Sequence, residues 1–197
     1  MSYSQWDEER VILEACKGID KGKFLDVGSW HPTQYSNVRA LWERGWHGVM
    51  VECSPMPMHV LLQAYGYDER VTLIEAAVGL DHQMVEFQIT QDALSTKDAK
   101  SYKAWEEKGG FYGQLWVPQI TFDDIFLQFG GGFDFISIDT EGNSCELLKA
   151  LLATEVRPQC ICFEHERRFA ESFAHFSAAG YRVVLQNDTN NVIERKV

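Results

Sequence analysis

Hydrophobic positions follow two patterns that alternate along the chain. Short apolar runs typical of buried strands occur at 24–27, 49–52, 71–76, 133–139 and 159–164. Between these runs, apolar residues recur at i, i+3, i+4 and i+7, as they do at Met58, Leu61, Leu62 and Tyr65. Strands that alternate with helices predict an α/β fold in which helices cover both faces of a largely parallel sheet.

Polar residues mark the starts of two predicted helices. Ser4 with Asp7 forms a capping-box signal ahead of a first helix that precedes the sheet. Thr121 with Asp124 forms the same signal ahead of a helix that the glycines at 130–132 should end. Both boxes predict where the chain enters a helix.

Two pairs of extended runs predict hairpins. Runs at 181–186 and 191–195 flank the turn-rich segment NDTN, which favours an antiparallel hairpin at the edge of the sheet. A second pair, at 85–89 and 115–119, predicts a hairpin and loop inserted at about residues 84–119. We otherwise expect residues 1–197 to form one domain with a doubly wound, mostly parallel sheet.

The connection at 91–114 is long for a structureless loop in a compact domain, which indicates a functional segment. It contains four lysines and four aromatic residues: Lys97, Lys100, Lys103 and Lys108, with Tyr102, Trp105, Phe111 and Tyr112. This composition fits a lid that covers a bound substrate, and it equally fits a solvated loop whose aromatic rings pack on the sheet edge.

The composition excludes several classes of protein. The 197 residues include 29 acidic and 18 basic side chains, and the formal charge of −11 disfavours a nucleic-acid partner. No apolar run approaches the roughly 20 residues of a membrane span, and the polar start MSYSQWDEER is unlike a signal peptide. Five cysteines without a CxxC pair indicate reduced core residues. We therefore expect a cytoplasmic protein.

Four of the apolar strands end in an acid, at Asp26, Glu52, Asp139 and Glu164. The carboxyl ends of parallel strands meet at one edge of an open sheet, so these carboxylates should converge on one pocket. Each acid alone could instead cap the helix that follows it, but four together favour a binding site. A pocket this acidic suits a cationic or polyhydroxyl ligand.

The turn after the first strand, DVGSWHPT, lacks the GxGxxG pattern that places a pyrophosphate against bare backbone. S-adenosylmethionine has no phosphate and carries a sulfonium cation, an amino-acid head and a ribose diol. Asp26 near the cationic methionine end and Glu52 at the ribose hydroxyls would match these groups. Glu52 lies 26 residues beyond Asp26, which equals a βαβ span.

Seven segments together resemble the FkbM-type methyltransferases: FLDVGS at 24–29, YSN at 35–37, GWHGVMVECSP at 45–55, AAVG at 76–79, TFDDI at 121–125, DFISIDTEG at 134–142 and FEH at 163–165. The resemblance covers nearly the whole chain. It implies S-adenosylmethionine as the cofactor and a class I methyltransferase Rossmann-like doubly wound sheet, mostly parallel with an antiparallel C-terminal hairpin.

The resemblance also implies the residues that bind the cofactor: Asp26, Gly28, Ser29, Ser36, Glu52, Ser54, Glu75, Ala76 and Asp139. Within this set, Glu52 would hold the ribose, Glu75 and Ala76 would border the adenine, and Asp139 would stand near the methyl group. We expect no bound metal.

Methylation of a hydroxyl requires a base, and Asp139, Glu141 and His165 are the candidates. Glu141 could instead cap a helix, and His165 could be a structural hydrogen-bond partner. We expect O-methylation of a sugar, glycolipid or secondary-metabolite hydroxyl, with a small-molecule or glycan acceptor. Two alternatives stay open: a nicotinamide-dependent oxidoreductase and a non-catalytic S-adenosylmethionine-binding protein. The sequence predicts no particular oligomeric state.

Overall fold

A computed structural model describes residues 2–90 and 111–196 of the chain. Most of the predicted lid, residues 91–110, therefore lies outside the described residues. Residues 111–114, which we expected in the connection, belong instead to a strand. No helix in the described ranges is long and apolar enough to cross a membrane.

Helices and strands alternate as the sequence predicts. The first half contains α1 (Glu8–Ala15), β1 (Lys23–Val27), α2 (Arg39–Glu43), β2 (His47–Glu52), α3 (Pro55–Tyr65), β3 (Val71–Glu75), β4 (Ala77–Val78) and β5 (Gln83–Thr90). The second half contains β6 (Phe111–Ile120), α4 (Phe122–Phe129), β7 (Phe135–Ile138), α5 (Ser144–Ala153), β8 (Cys160–Glu164), α6 (Phe169–Ala178), β9 (Tyr181–Gln186) and β10 (Asn190–Arg195).

Within the described residues, a seven-stranded sheet has the order β3-β2-β1-β7-β8-β10-β9. The first five strands of this order pair in parallel, whereas β10 is antiparallel to both β8 and β9. This arrangement confirms the mostly parallel α/β sheet and the antiparallel C-terminal hairpin. β10 lies between β8 and β9, so β9 forms the edge of the sheet.

The inserted hairpin forms a second, smaller sheet in the described part of the chain. β5 and β6 pair antiparallel, from Gln83 opposite Gln119 onward, and β6 also pairs in parallel with β4. The buried side chains of Ala77, Phe87 and Val117 form a small core of their own beneath it. The insertion is thereby attached to the chain that leaves β3.

The core lies on both faces of the large sheet because side chains alternate along each buried strand. In β1, Leu25 faces the helices α4, α5 and α6, whereas its neighbour Phe24 faces α1, α2 and α3. Both residues are fully buried. Alternate faces covered by different helices make this a doubly wound fold.

One of the two predicted capping boxes is confirmed. Thr121 and Asp124 satisfy each other's backbone amides at the start of α4. The box at Ser4 and Asp7 is wrong, because Asp7 is the N-cap of α1 and its side chain makes no cap bond. The Ser4 hydroxyl accepts instead from the Glu9 amide at 2.9 Å, inside the first turn.

Gly28 ends β1 where the backbone of the β7 end passes very close. A Cβ on Gly28 would lie 1.8 Å from the Asp139 carbonyl oxygen, and the Gly28 φ of +82° belongs to the left-handed region. The Gly28 amide donates to Val51 and the Asp139 amide donates to Val27, both at 2.9 Å. This contact fixes the loops after β1, β2 and β7 against one another.

Gly28→Ala is therefore expected to destabilise the protein severely, because it adds a backbone collision to the strain of a positive φ. Gly18→Ala is the matched control, since Gly18 has φ +92° but no heavy atom within 4 Å of the position that a Cβ would occupy. Urea unfolding should show a loss for Gly28→Ala that exceeds the Gly18→Ala loss by about 2 kcal/mol. Equal losses would contradict the close-contact explanation.

Candidate functional site

A cavity of about 470 Å³ opens at the carboxyl ends of β1, β2, β7 and β8. Its volume lies within the roughly 300–1,000 Å³ that small-molecule sites occupy. The loops after these strands form most of its lining. The N-terminal segment, residues 76–78, Phe87 and the β9–β10 turn contribute the rest. The cavity therefore occupies the position at which open α/β sheets bind their ligands.

The structure brings the four strand-end acids Asp26, Glu52, Asp139 and Glu164 together in the lining of this cavity. Glu141, in the turn after β7, is a fifth acid in the same lining. None of the lining residues that the structure describes is a lysine, an arginine or a histidine. These five side chains, here called the cavity carboxylates, give the site a strongly acidic character.

Backbone amides hold the carboxylate of Glu52 in place. Its Oε2 accepts from the Trp30 amide at 3.0 Å, and its Oε1 accepts from the Ser54 amide at 2.6 Å. Trp30 reaches this position with φ +36°, a left-handed conformation that is costly for a bulky residue. Ser54 is only 2% exposed, and its hydroxyl has no hydrogen-bond partner in the described structure. A ligand hydroxyl is the natural partner for such a group.

Asp26 is buried at the end of β1, and its titration is strongly perturbed. Burial raises the pKa of Asp26 to about 7, hydrogen bonds from Ser29 and Ser137 oppose the rise, and the charges of Asp139 and Glu52 add to it. Burial likewise raises the pKa of Glu52, although backbone amides stabilise its charged form. Both carboxyl groups favour protonation more than exposed acids do.

The other three cavity carboxylates show the same effect. Asp139 is accessible from the cavity, yet burial by the surrounding protein raises its pKa to about 6, with contributions from the charges of Glu8 and Glu166. Burial raises the pKa of Glu141 to about 7. It raises that of Glu164 to about 9, reinforced by the charges of the neighbouring acids. The Oε2 atom of Glu164 is buried and has no hydrogen-bond partner among the described residues.

Of the expected cofactor residues, all except Glu75 line the cavity: Asp26, Gly28, Ser29, Ser36, Glu52, Ser54, Ala76 and Asp139. Glu75 ends β3 with its side chain exposed, and it is not part of the lining. Its neighbour Ala76 is buried and does line the cavity. Of the two residues expected to border the adenine, the structure thus places only Ala76 at the cavity.

His165 also lies outside the lining. It is buried, its Nδ1 accepts from the Arg167 amide at 3.0 Å, and its Nε2 donates to the Asn187 carbonyl at 3.1 Å. The preceding residue, Glu164, is the one that faces the cavity. Both ring nitrogens of His165 are thus engaged with the backbone of the loop after β8 and of the β9–β10 turn.

Several lining residues were not singled out from the sequence. Asn37 donates from Nδ2 to the Ser137 hydroxyl at 3.2 Å. Both residues lie inside segments that carry the family resemblance, YSN and DFISID, so membership of those segments was a signal that could have identified them. Gln5, Thr189 and Asn190 also line the cavity, although they come from opposite ends of the chain. Nothing in their local sequence marks them.

Solved structures of methyltransferases share this fold. Methyltransferase FkbM from Methylobacillus flagellatus KT superposes with a TM-score of 0.59 at 15% identity, over 88% of this chain and 44% of that one. Precorrin-6y C5,15-methyltransferase from Geobacter metallireducens GS-15 gives 0.51 at 13% identity, over 94% and 84% of the two chains. Ribosomal protein L11 methylase from Lactobacillus delbrueckii subsp. bulgaricus gives 0.51 at 11% identity, over 96% and 78%. The fold is that of class I methyltransferases.

The sequence itself identifies the family. The family model described as the methyltransferase FkbM domain matches residues 15–183, so the chain belongs to the FkbM methyltransferase family. It spans less than half the length of the FkbM structure from Methylobacillus flagellatus KT. A search of curated proteins gave no significant match.

From the raised pKa of Glu164 we predict how the thermal stability of the ligand-free protein depends on pH. A carboxyl group whose pKa is higher in the folded state than in the unfolded chain contributes stability at low pH, and that contribution is lost as the pH rises. Between pH 5 and pH 8, the melting temperature of the wild type should therefore fall relative to that of Glu164→Gln, by about 2 °C or more.

Thermal unfolding followed by circular dichroism at several pH values measures this difference. Glu155→Gln is the control, because Glu155 is exposed in the loop before β8 and its variant should follow the wild-type pH profile. Parallel pH profiles for Glu164→Gln and the wild type would show that burial does not perturb this carboxyl group.

Proposed function

We propose that this protein is an S-adenosylmethionine-dependent methyltransferase that acts on a hydroxyl oxygen of a small-molecule or glycan acceptor, such as a sugar, a glycolipid or a secondary metabolite. One observation carries the proposal: a chain of the FkbM family places five carboxylates in a single cavity at the carboxyl edge of its sheet. The chemistry of those residues supports each part of the assignment.

The residues present fit this cofactor. When bound, S-adenosylmethionine supplies an electrophilic methyl group carried on a positively charged sulfur. Glu52 is positioned by two backbone amides to accept from ribose hydroxyls, and the unpartnered Ser54 hydroxyl offers a further hydrogen bond there. Asp26 supplies negative charge for the cationic methionine end. Ala76, with Val78, provides an apolar surface suited to an adenine ring.

The cavity carboxylates also support a role in accepting the acceptor's proton. A general base works best when its pKa lies near the working pH, and the pKa values of Asp139 and Glu141 are raised to about 6 and 7. Both side chains line the cavity. His165 would have to release two backbone hydrogen bonds before it could act, so we assign the base to Asp139 or Glu141.

The electrostatics also restrict the acceptor. The chain carries a net charge of −11, and its described cavity lining contains acids but no basic side chain. Such a site repels phosphorylated or carboxylated acceptors and accommodates uncharged polyols. We therefore propose a neutral hydroxyl compound and no nucleic-acid substrate.

Glu52→Gln tests the cofactor site. Loss of the charged acceptor should weaken binding of S-adenosylmethionine by about 1.5 to 3 kcal/mol, or roughly 10- to 150-fold. Isothermal titration calorimetry measures the dissociation constant, with Glu155→Gln as the control variant that should bind like the wild type. Equal affinities of Glu52→Gln and the wild type would eliminate the ribose assignment.

Glu141→Gln and Asp139→Asn test the assignment of the base. Transfer of isotopically labelled methyl groups to a screen of uncharged glycosides gives the turnover, and replacement of the true base should lower it by about a hundredfold or more. The loss of turnover in that variant should exceed any loss of affinity for S-adenosylmethionine. Full turnover in both variants would place the base elsewhere.

A further inference from the structure

The cavity carboxylates outnumber the positive charges available to balance them. Five acids line one cavity of about 470 Å³, and no described lining residue is basic. Each of these carboxylates disfavours the ionisation of its neighbours, and Asp139 raises the pKa of Asp26, Glu52, Glu141 and Glu164. Five acids in one cavity with no basic partner in the described lining therefore favour protons on part of the group when no ligand is bound.

The surroundings add negative charge. Glu8 in α1 is fully buried and accepts from the side chains of Asn187 at 2.7 Å and Asn190 at 2.9 Å. Its charge and that of Glu166 act on Asp139.

The other ionisable groups near the cavity carboxylates do not compensate them. Burial, with the charges of Glu8, Asp139 and Asp26, raises the pKa of the Cys162 thiol. Burial likewise raises the pKa of the Tyr65 hydroxyl. Arg168 lies 3.6 Å from Glu166 but also pairs with two further acids outside the cavity, Glu146 and Glu171. None of these groups offsets the mutual repulsion of the cavity carboxylates, so we expect the five to influence one another's titration.

Independent features indicate that a ligand completes this site. Ser54 lines the cavity although it is only 2% exposed, and its buried hydroxyl has no hydrogen-bond partner in the described structure. The buried Oε2 of Glu164 likewise has no hydrogen-bond partner among the described residues. Buried polar atoms in folded proteins are rarely left unpaired, so these two groups are best explained as partners of a bound molecule.

We propose that the cavity carboxylates bind the methyl donor in exchange for protons, so that the protein distinguishes the cationic donor from its demethylated product by charge. This inference rests on the proposed function. S-adenosylmethionine carries one positive charge more than S-adenosylhomocysteine, and that charge stabilises an additional ionised carboxylate. The proton displaced from that carboxylate leaves for the solvent.

The ionised carboxylate that this exchange leaves can then accept the proton of the acceptor hydroxyl during methyl transfer. Methylation of a hydroxyl forms a C–O bond and breaks the C–S bond, whose electron pair stays on sulfur, while the hydroxyl proton passes to a cavity carboxylate. The site then loses one positive charge on sulfur and one negative charge on oxygen, so its net charge is unchanged. No buried charge is left without a partner after the transfer.

Calorimetry in buffers of different ionisation enthalpy tests the proposal directly. Purified protein is titrated at pH 7 with S-adenosylmethionine and, separately, with S-adenosylhomocysteine, in phosphate and in Tris. The dependence of the observed enthalpy on the buffer gives the number of protons released. We expect the donor to release about half a proton or more beyond the product, and its affinity to rise about threefold per pH unit between pH 6 and 8.

Variants identify the groups that release the protons. Glu141→Gln and Glu164→Gln should reduce the difference between donor and product, whereas Glu155→Gln, an exposed acid outside the cavity, should leave it unchanged. A difference that survives undiminished in both variants would overturn the assignment of the released proton to Glu141 and Glu164. The wild-type comparison decides the proposal even if a variant fails to fold.

The two proposals fail in different ways. Equal proton release on binding both ligands would overturn the charge-exchange inference and leave the methyltransferase assignment intact. Absence of binding by either ligand would contradict the proposed function and, with it, this inference.

Discussion

The parallel pairing of β2, β1, β7 and β8 places the ends of four strands side by side, and an acid lies at or next to the end of each. The close passage of Gly28 against the Asp139 carbonyl then fixes how near the loops after β1 and β7 can lie. Together these two constraints concentrate negative charge in one cavity. The electrostatics of that cavity determine which ligands it can accept.

Concentrated negative charge lowers the stability of the ligand-free protein, but it favours the binding of a cationic ligand. Burial raises the pKa values of Asp26, Asp139 and Glu141 towards neutrality, which means that ionisation of these groups destabilises the fold. A cationic ligand reverses this effect, because it stabilises the ionised form. Sites that carry such a cost in stability are commonly functional.

The part of the site that could be predicted depends on hydrophobic periodicity and on the position of each acid at a strand end. Strand ends, helix faces and the C-terminal hairpin follow from hydrophobic spacing, and the convergence of Asp26, Glu52, Asp139 and Glu164 follows from parallel strands sharing an edge. The part that could not be predicted depends on the direction in which individual side chains point relative to the cavity. Exclusion of Glu75 and His165 from the cavity depends on which of two adjacent residues faces inward, and sequence spacing does not specify that choice.

Long-range contacts were likewise beyond what local sequence patterns indicate. Even a local signal can mislead: Ser4 and Asp7 carry a capping signal, yet the Ser4 hydroxyl accepts from the Glu9 amide. The buried bond from Asn190 to Glu8 joins residues separated by 182 positions and brings the β9–β10 turn to the cavity. Such contacts depend on the assembled sheet, because neither partner's local pattern indicates the other.

We infer that the acidic cavity of this FkbM-family fold binds a cationic nucleoside and excludes a pyrophosphate. The decisive experiment is calorimetric titration of the wild-type protein with S-adenosylmethionine and with NAD⁺ under identical conditions. We expect saturable one-to-one binding of S-adenosylmethionine and no measurable binding of NAD⁺. Saturable binding of NAD⁺ without binding of S-adenosylmethionine would contradict it.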